Sequence, residues 1–275
     1  MLRTISGLSG FNPTPFVLQI LPFSNFPLSL TGELVWRYYY DKLEIFPALE
    51  PSYYACRRVD DVADGDRDLP PGFENFYEWI AYLRNHINTG GKNIPKAPTA
   101  DYLLKQAIVR LEREQRPTDN IRGEFNGFLD AMTVEYERRI NRSVLSAQEL
   151  EEVNRNSFGH AHNMALIAIR SRTRAPDVPQ LPQLQGRLYA IADLETELRR
   201  GICNIPAEVL ETSGLGLPAL MEQPELVKDN QGIRHWKDAE LQWGRFAMDE
   251  LAKKPLDWIT GFYVRFLTLG IEKIY

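Results

Sequence analysis

From Thr31 onward the chain is punctuated by helix start and stop signals, and no run of alternating Val, Ile or Thr lies between hairpin turns. That combination restricts the fold to an all-α architecture. Ser146 followed three residues later by Glu149 has the form of a capping box, and Glu151 and Glu152 add negative charge at the same positive helix end. Pro51 stands near a helix start, and Gly65 with the Pro70-Pro71-Gly72 cluster ends that helix. The pattern predicts helices over 31–43, 53–64, 73–87, 100–115, 121–141, 146–171, 186–200, 206–212, 217–226, 232–253 and 256–274. Residues 1–30, with Gly7, Gly10, Pro13, Pro15, Pro22 and Pro27, read as an irregular N-terminal segment. The stretch 174–185, holding Pro176, Pro179 and Pro182, reads as a linker short enough to be a loop within one bundle. A single helical domain over 31–275 is expected.

Composition narrows the function classes. A chain of 275 residues can bury a sizeable core, and 44% hydrophobic with 25% charged residues excludes a disordered, collagen-like or disulfide-stapled chain. A formal charge of -5 gives no electrostatic footprint for nucleic acid. Cys56 and Cys203 read as free thiols in a reducing, cytoplasmic compartment. Arg3 is followed by Thr, Ser and Gly rather than by the apolar run of a secretory signal. The apolar stretch 16–30 is interrupted by Gln19, Pro22, Ser24, Asn25 and Pro27, and the C-terminal stretch 258–275 carries Arg265, Glu272 and Lys273. Neither suits a spanning helix. A soluble protein is expected, compatible with peripheral membrane contact through apolar surface.

The chemistry concentrates in two acidic segments. In the run from Tyr53 to Asp64, residues four apart share a helical face, so Asp60 and Asp64 stack, with Asp61 beside them and Arg57 one turn earlier. Clustered carboxylates repel one another, and a divalent cation removes that penalty. Mg²⁺ prefers oxygen ligands and commonly uses one or two carboxylates together with substrate phosphates. An ordinary solvated acidic helix end competes with this reading, although Tyr53, Tyr54, Val59 and Val62 place the acids beside a half-buried face. In the second segment Asp193 and Glu197 share a face, Gly201 is a natural helix stop, and Pro206 comes shortly after. Two such acidic pairs facing each other would clamp a diphosphate through metal ions. Between them, Asp130 and Glu135 are five apart and share no close face. His160 and His162 lack the further ligands a zinc site needs. Ordinary core and surface histidines are the plain reading of the pair.

These segments resemble the squalene/phytoene synthase family of prenyltransferases, in order, from about Ser24 to Pro206. The run from Tyr53 to Asp64 is similar to the family's first aspartate-rich motif, with Tyr, Cys-Arg and Asp-Asp-x-x-Asp in matching order. The run from Asp193 to Pro206 is similar to the second, and Asp130 with Glu135 matches the acid spacing of the helix between. The chain departs from the family at Glu197, where Asp is usual, and at Tyr189 and Ala192, where Asn and Arg are usual. Further departures are Ile202 and Asn204, and the segment Asn156-Ser157-Phe158 with His160 to Asn163 in place of Tyr-Cys-Tyr and small residues. The resemblance implies an all-α isoprenoid-synthase bundle with a central cavity and a Mg²⁺ cluster held by Asp60, Asp61, Asp64, Asp193 and Glu197. The substrate would be a C10–C20 prenyl diphosphate contacted by Tyr53, Arg57, Asp130, His160, Asn163 and Arg200. Tyr38, Tyr39, Tyr40, Phe125, Phe128 and Phe158 would wall the carbocation. Head-to-head condensation of two such substrates is the expected reaction. The alternatives are cyclisation of one substrate, as in a class I terpene synthase, and a non-catalytic relative serving as a binding or assembly module.

Overall fold

The computed structural model describes residues 47–90, 100–257, 259–261 and 263–265, and every regular element among them is helical, with no strand. The 1–30 segment, the expected helix over 31–43 and Tyr38, Tyr39 and Tyr40 lie outside the described residues. The elements are α1 (Leu49–Ala63), α2 (Phe76–Thr89), α3 (Ala100–Glu114), α4 (Ile121–Asn141), α5 (Ala147–Ala168), a 3₁₀ turn (Ala175–Asp177), α6 (Gln180–Ala192), α7 (Leu194–Arg200), α8 (Ala207–Ser213), α9 (Leu217–Glu222), α10 (Leu226–Asp229) and α11 (Gln231–Lys253).

The helix ends obey local chemistry. The Asn75 side chain accepts from the Glu78 amide, Asn120 from Gly123, Ser146 from Glu149 and Asn230 from Ile233. Each such cap contributes about 1 kcal/mol. The capping box at Ser146 is complete, since the Glu149 carboxylate accepts from the Ser146 amide at 2.8 Å. Gly90, Gly201 and Gly214 end helices in the left-handed region, and Arg142 does the same without being glycine.

Three expectations need correction, the first being the helix over 217–226, which ends at Glu222 and resumes at Leu226 as α10. The proline-bearing stretch 174–185 is largely helical, with a 3₁₀ turn and then α6 from Gln180. Pro182 falls in the first turn of α6, where no amide donor is needed. The helix expected over 186–200 is divided at Asp193, which ends α6 and starts α7.

α1 buries Ala55, Val59 and Val62 against α3, α4 and α5, while α2 seats Phe76, Trp79, Leu83 and Ile87 on α3 and α4. Phe125 and Phe128, expected as cavity wall, are core side chains here. α5 packs between α4 and α6, and α11 packs on α6. Close approach of α4 and α5 requires Gly127, since a Cβ there would stand 2.2 Å from the His160 ring. A second apolar cluster (Leu194, Leu198, Cys203, Ile205, Leu210, Leu220) seats α7 on α8 and α9. That seating fixes which face of α7 is left for Asp193 and Glu197. No helix among the described residues is long and apolar enough to cross a membrane.

Candidate functional site

Three helix segments converge: the last turn of α1, the C-terminal third of α4, and α7. The Arg139 Nε donates to the Ala63 carbonyl at 2.7 Å, tying α4 to the end of α1. Arg138, 4% exposed, donates to the Cys203 carbonyl at 3.0 Å and to Asn204 Oδ1 at 2.9 Å, tying α4 to the chain after α7. The α1 end then turns at Gly65 (φ 81), which brings Asp66 within 2.7 Å of Arg200 on α7.

The acids expected at the site meet there in part. Asp60 is held by Arg57 Nη1 at 2.5 Å, and Glu197 by Arg200 Nη1 at 3.2 Å. Burial pushes Asp60 up to about 6, with Asp61 and Glu135 adding repulsion and Arg57 opposing it. Burial pushes Asp64 up to about 8, helped by Asp60, Glu197 and Glu135. Glu197 rises to about 7 through burial against the pull of Arg200, with Asp193, Glu135 and Asp60 repelling it. Asp193 is exposed, and partial desolvation by its neighbours raises it while Arg200 and Arg57 oppose the shift. The carboxylates of α1, α4 and α7 therefore sense one another, and the pull of Arg57 and Arg200 does not outweigh burial.

Other expected residues behave differently. Asp61 is buried, and its oxygens are taken by Arg57 Nε at 2.7 Å and Arg67 Nε at 2.9 Å. It positions Arg57 rather than facing the opposed acids. Asp130 points outward, its side chain 65% exposed and paired with Arg84, so it takes no part. The cause is helical phase: five residues from Glu135 is about 140° around the axis. Tyr53 is exposed, edge-on to Tyr54 at 5.4 Å and one turn before Arg57. His160 and Asn163 both bind Glu124, at 2.8 Å and 2.7 Å. Glu124 lies three turns before Glu135 on the same stripe of α4, about 16 Å along the axis. The His160 group is thus remote from the carboxylates but on the same side of α4. His162 is buried, hydrogen-bonded through Nδ1 to Tyr263 Oη at 2.8 Å, and kept neutral by burial, which lowers it to about 4.

Two site residues escape the sequence reading. Glu135 stands out there only for its spacing from Asp130, yet it is the acid of α4 that faces the cluster. Arg138 Nη1 holds it at 2.7 Å. Asp66 closes the bridge to α7. The signals are a Glu-x-x-Arg-Arg group where the apolar stripe of α4 stops, and an acidic run continuing past Gly65.

Among the described residues, no three His, Cys, Asp or Glu side chains converge closely enough to hold one ion unaided. The donor set fits Mg²⁺ in its other habit, one or two carboxylates per ion completed by water and substrate phosphate. Comparisons of the chain with models of protein families, with characterised proteins and with solved structures found no match.

Proposed function

We propose that the protein is a Mg²⁺-dependent isoprenoid synthase that ionises an allylic prenyl diphosphate of C10–C20 and releases pyrophosphate, joining two such substrates head-to-head. The observation that carries this reading is the cluster of carboxylates on three helices, in which Arg57 holds Asp60, Arg138 holds Glu135 and Arg200 holds Glu197, while Asp64 and Asp193 have no ion pair among the described residues. Such a cluster keeps protons near neutral pH or exchanges them for a bound cation.

Asp60 and Asp64 from one side, Asp193 and Glu197 from the other, and Glu135 between them are the oxygen donors. Bound Mg²⁺ supplies the charge that stabilises the departing pyrophosphate. Arg57 and Arg200 reach the same space and can donate charge-assisted hydrogen bonds to diphosphate oxygens. Asp61 and Asp66 hold those guanidiniums in place. Tyr53, and Phe158 edge-on to Tyr189 at 6.2 Å, are the aromatic faces offered to a cation. His160, paired with Glu124 further along α4, would take a proton from the far part of a bound chain.

Cyclisation of a single substrate is the second reading. Ala192 and Tyr189 stand where the resembled family carries Arg and Asn, so the second-substrate side lacks a cation there. The test is pyrophosphate release from C10, C15 and C20 prenyl diphosphates with and without Mg²⁺, with mass analysis of the hydrocarbon. Mg²⁺-dependent release with a joined product supports condensation, and a product of one chain supports cyclisation. No release from any of them would refute the enzyme and favour a binding or assembly module.

A further inference from the structure

A cavity of about 450 Å³ opens where the C-terminal ends of α4 and α7 meet α9. Four arginines line it (Arg139, Arg142, Arg199 and Arg200), together with apolar Ile140 and Met221. None of Asp60, Asp64, Asp193 or Glu197 lines it, and Glu222 is the single carboxylate that does.

Arginines at helix C-termini also serve to offset the helix dipole. Each helix end carries about half a charge, so two ends account for about one guanidinium. Arg200 is engaged by Asp66 and Glu197. Arg139 is fixed by the Ala63 carbonyl and lies over the Tyr136 ring, but it has no carboxylate partner among the described residues. Arg142 is exposed, and its side chain has no hydrogen bond or ion pair among the described residues. Arg199 reaches Glu225 only at 3.9 Å, with both side chains mostly exposed. At least two forked donors therefore stand ready beside a third that is held rigid.

We propose that this basin is a second, phosphate-binding site, taking a phosphate or diphosphate head with an apolar neighbour resting on Ile140 and Met221. The volume lies within the usual range for small-ligand sites, roughly 300–1,000 Å³. The planar forks of arginine match phosphate oxygens in pairs. Two sources share this chemistry: free pyrophosphate and the head of an anionic phospholipid. The site does not depend on the acidic cleft being catalytic.

The test is calorimetric titration of the full chain with inorganic pyrophosphate in EDTA, where no divalent ion can draw the anion to the acidic cleft. Saturable binding is expected, weakened at least tenfold in Arg142→Glu/Arg199→Glu and unchanged in Asp60→Asn/Asp64→Asn. Should the charge-reversed pair misfold by circular dichroism, Arg142→Gln/Arg199→Gln is expected to weaken binding about threefold. Sedimentation with phosphatidic acid vesicles, lost in the double variant, would assign a lipid head. Pyrophosphate binding without sedimentation would assign a free anion. Either supports the site. No saturable binding of pyrophosphate in EDTA together with no sedimentation, or binding equally strong in the double variants, would overturn it. Mg²⁺-dependent pyrophosphate release is measured separately on the same proteins, so failure of the basin leaves the acidic cleft untouched.

Discussion

The two ends of α4 hold polar clusters of opposite character. At the N-terminal end Asp119 receives Arg174 through two bonds of 2.8 Å and 2.7 Å, together with the Arg116 amide at 2.7 Å. Arg116 binds the Ser171 carbonyl, and Ser171, Arg172 and Thr173 all reach Asp257. The bond from Arg174 chiefly holds Asp119 below the usual carboxylate range. About 21 Å along the helix, Glu135 joins Asp60, Asp64 and Glu197, and there burial and repulsion push the acids up. The first cluster is satisfied by the protein itself and locks loops together. The second is left with excess charge. The number of acids does not separate them; the balance of donors to acids does, and an unbalanced cluster is a candidate functional site.

The contrast yields variants that should fail in opposite ways. Asp60→Asn or Asp64→Asn should lower Mg²⁺-dependent pyrophosphate release roughly 10²–10³-fold, with a melting temperature at pH 8 equal to or above that of the parent. A destabilised variant with full turnover would break the comparison. Asp119→Ala leaves the half-buried Arg174 without its counter-ion and should cost about 3 kcal/mol, the low end for a broken buried pair, read as a fall in melting temperature, while the surviving folded fraction keeps its turnover. Asp61→Ala belongs between them, since Asp61 is both buried and the holder of Arg57, so it should lose stability and activity together.

The pH dependence also divides. An acid whose folded value lies above its unfolded value binds its proton more tightly when folded. Its penalty is absent below the ordinary value near 3.8 and grows as pH rises through the folded values of about 6 to 8. The melting temperature without metal should therefore fall by a few degrees between pH 5 and pH 8, and Asp64→Asn should flatten that slope. Asp119 is shifted the other way, so its contribution is present at neutral pH and lost only as pH falls below about 4. A rise in metal-free stability from pH 5 to pH 8 would contradict this assignment. The smallest expected effect is at Asp193, which is exposed: Asp193→Ala should raise the Mg²⁺ requirement severalfold with little change in melting temperature. An unchanged metal titration would remove α7 from the grip.

How much can be read from the chain varies by element, for physical reasons. α4 (Ile121–Asn141) matches its predicted span because Asn120 caps one end and the apolar stripe is local information. The stretch 174–185 misleads because proline there marks a helix start rather than a break, which depends on the position of the first turn. Asp60, Asp64, Asp193 and Glu197 are legible from their four-residue spacing. Asp130 is misplaced and Glu135 undervalued by sequence because the packing of α4 on α1 and α5, not its own residues, decides which stripe faces the cleft. Asp61 is legible as an acid but not as a buried anchor, since Arg67 returns to it only through the turn at Gly65.

The most direct measurement is calorimetric titration of Mg²⁺ into the protein with pyrophosphate present, less the same titration of pyrophosphate without protein, run at pH 7 in buffers of different ionisation enthalpy. The account predicts that Mg²⁺ binding releases protons as Asp64 and Glu197 give up theirs. In Asp60→Asn/Asp64→Asn both the binding and the release should be lost, and in Arg142→Glu both should remain. Mg²⁺ binding without proton release, or equal binding in the doubly amidated variant, would contradict the claim that these carboxylates hold the metal.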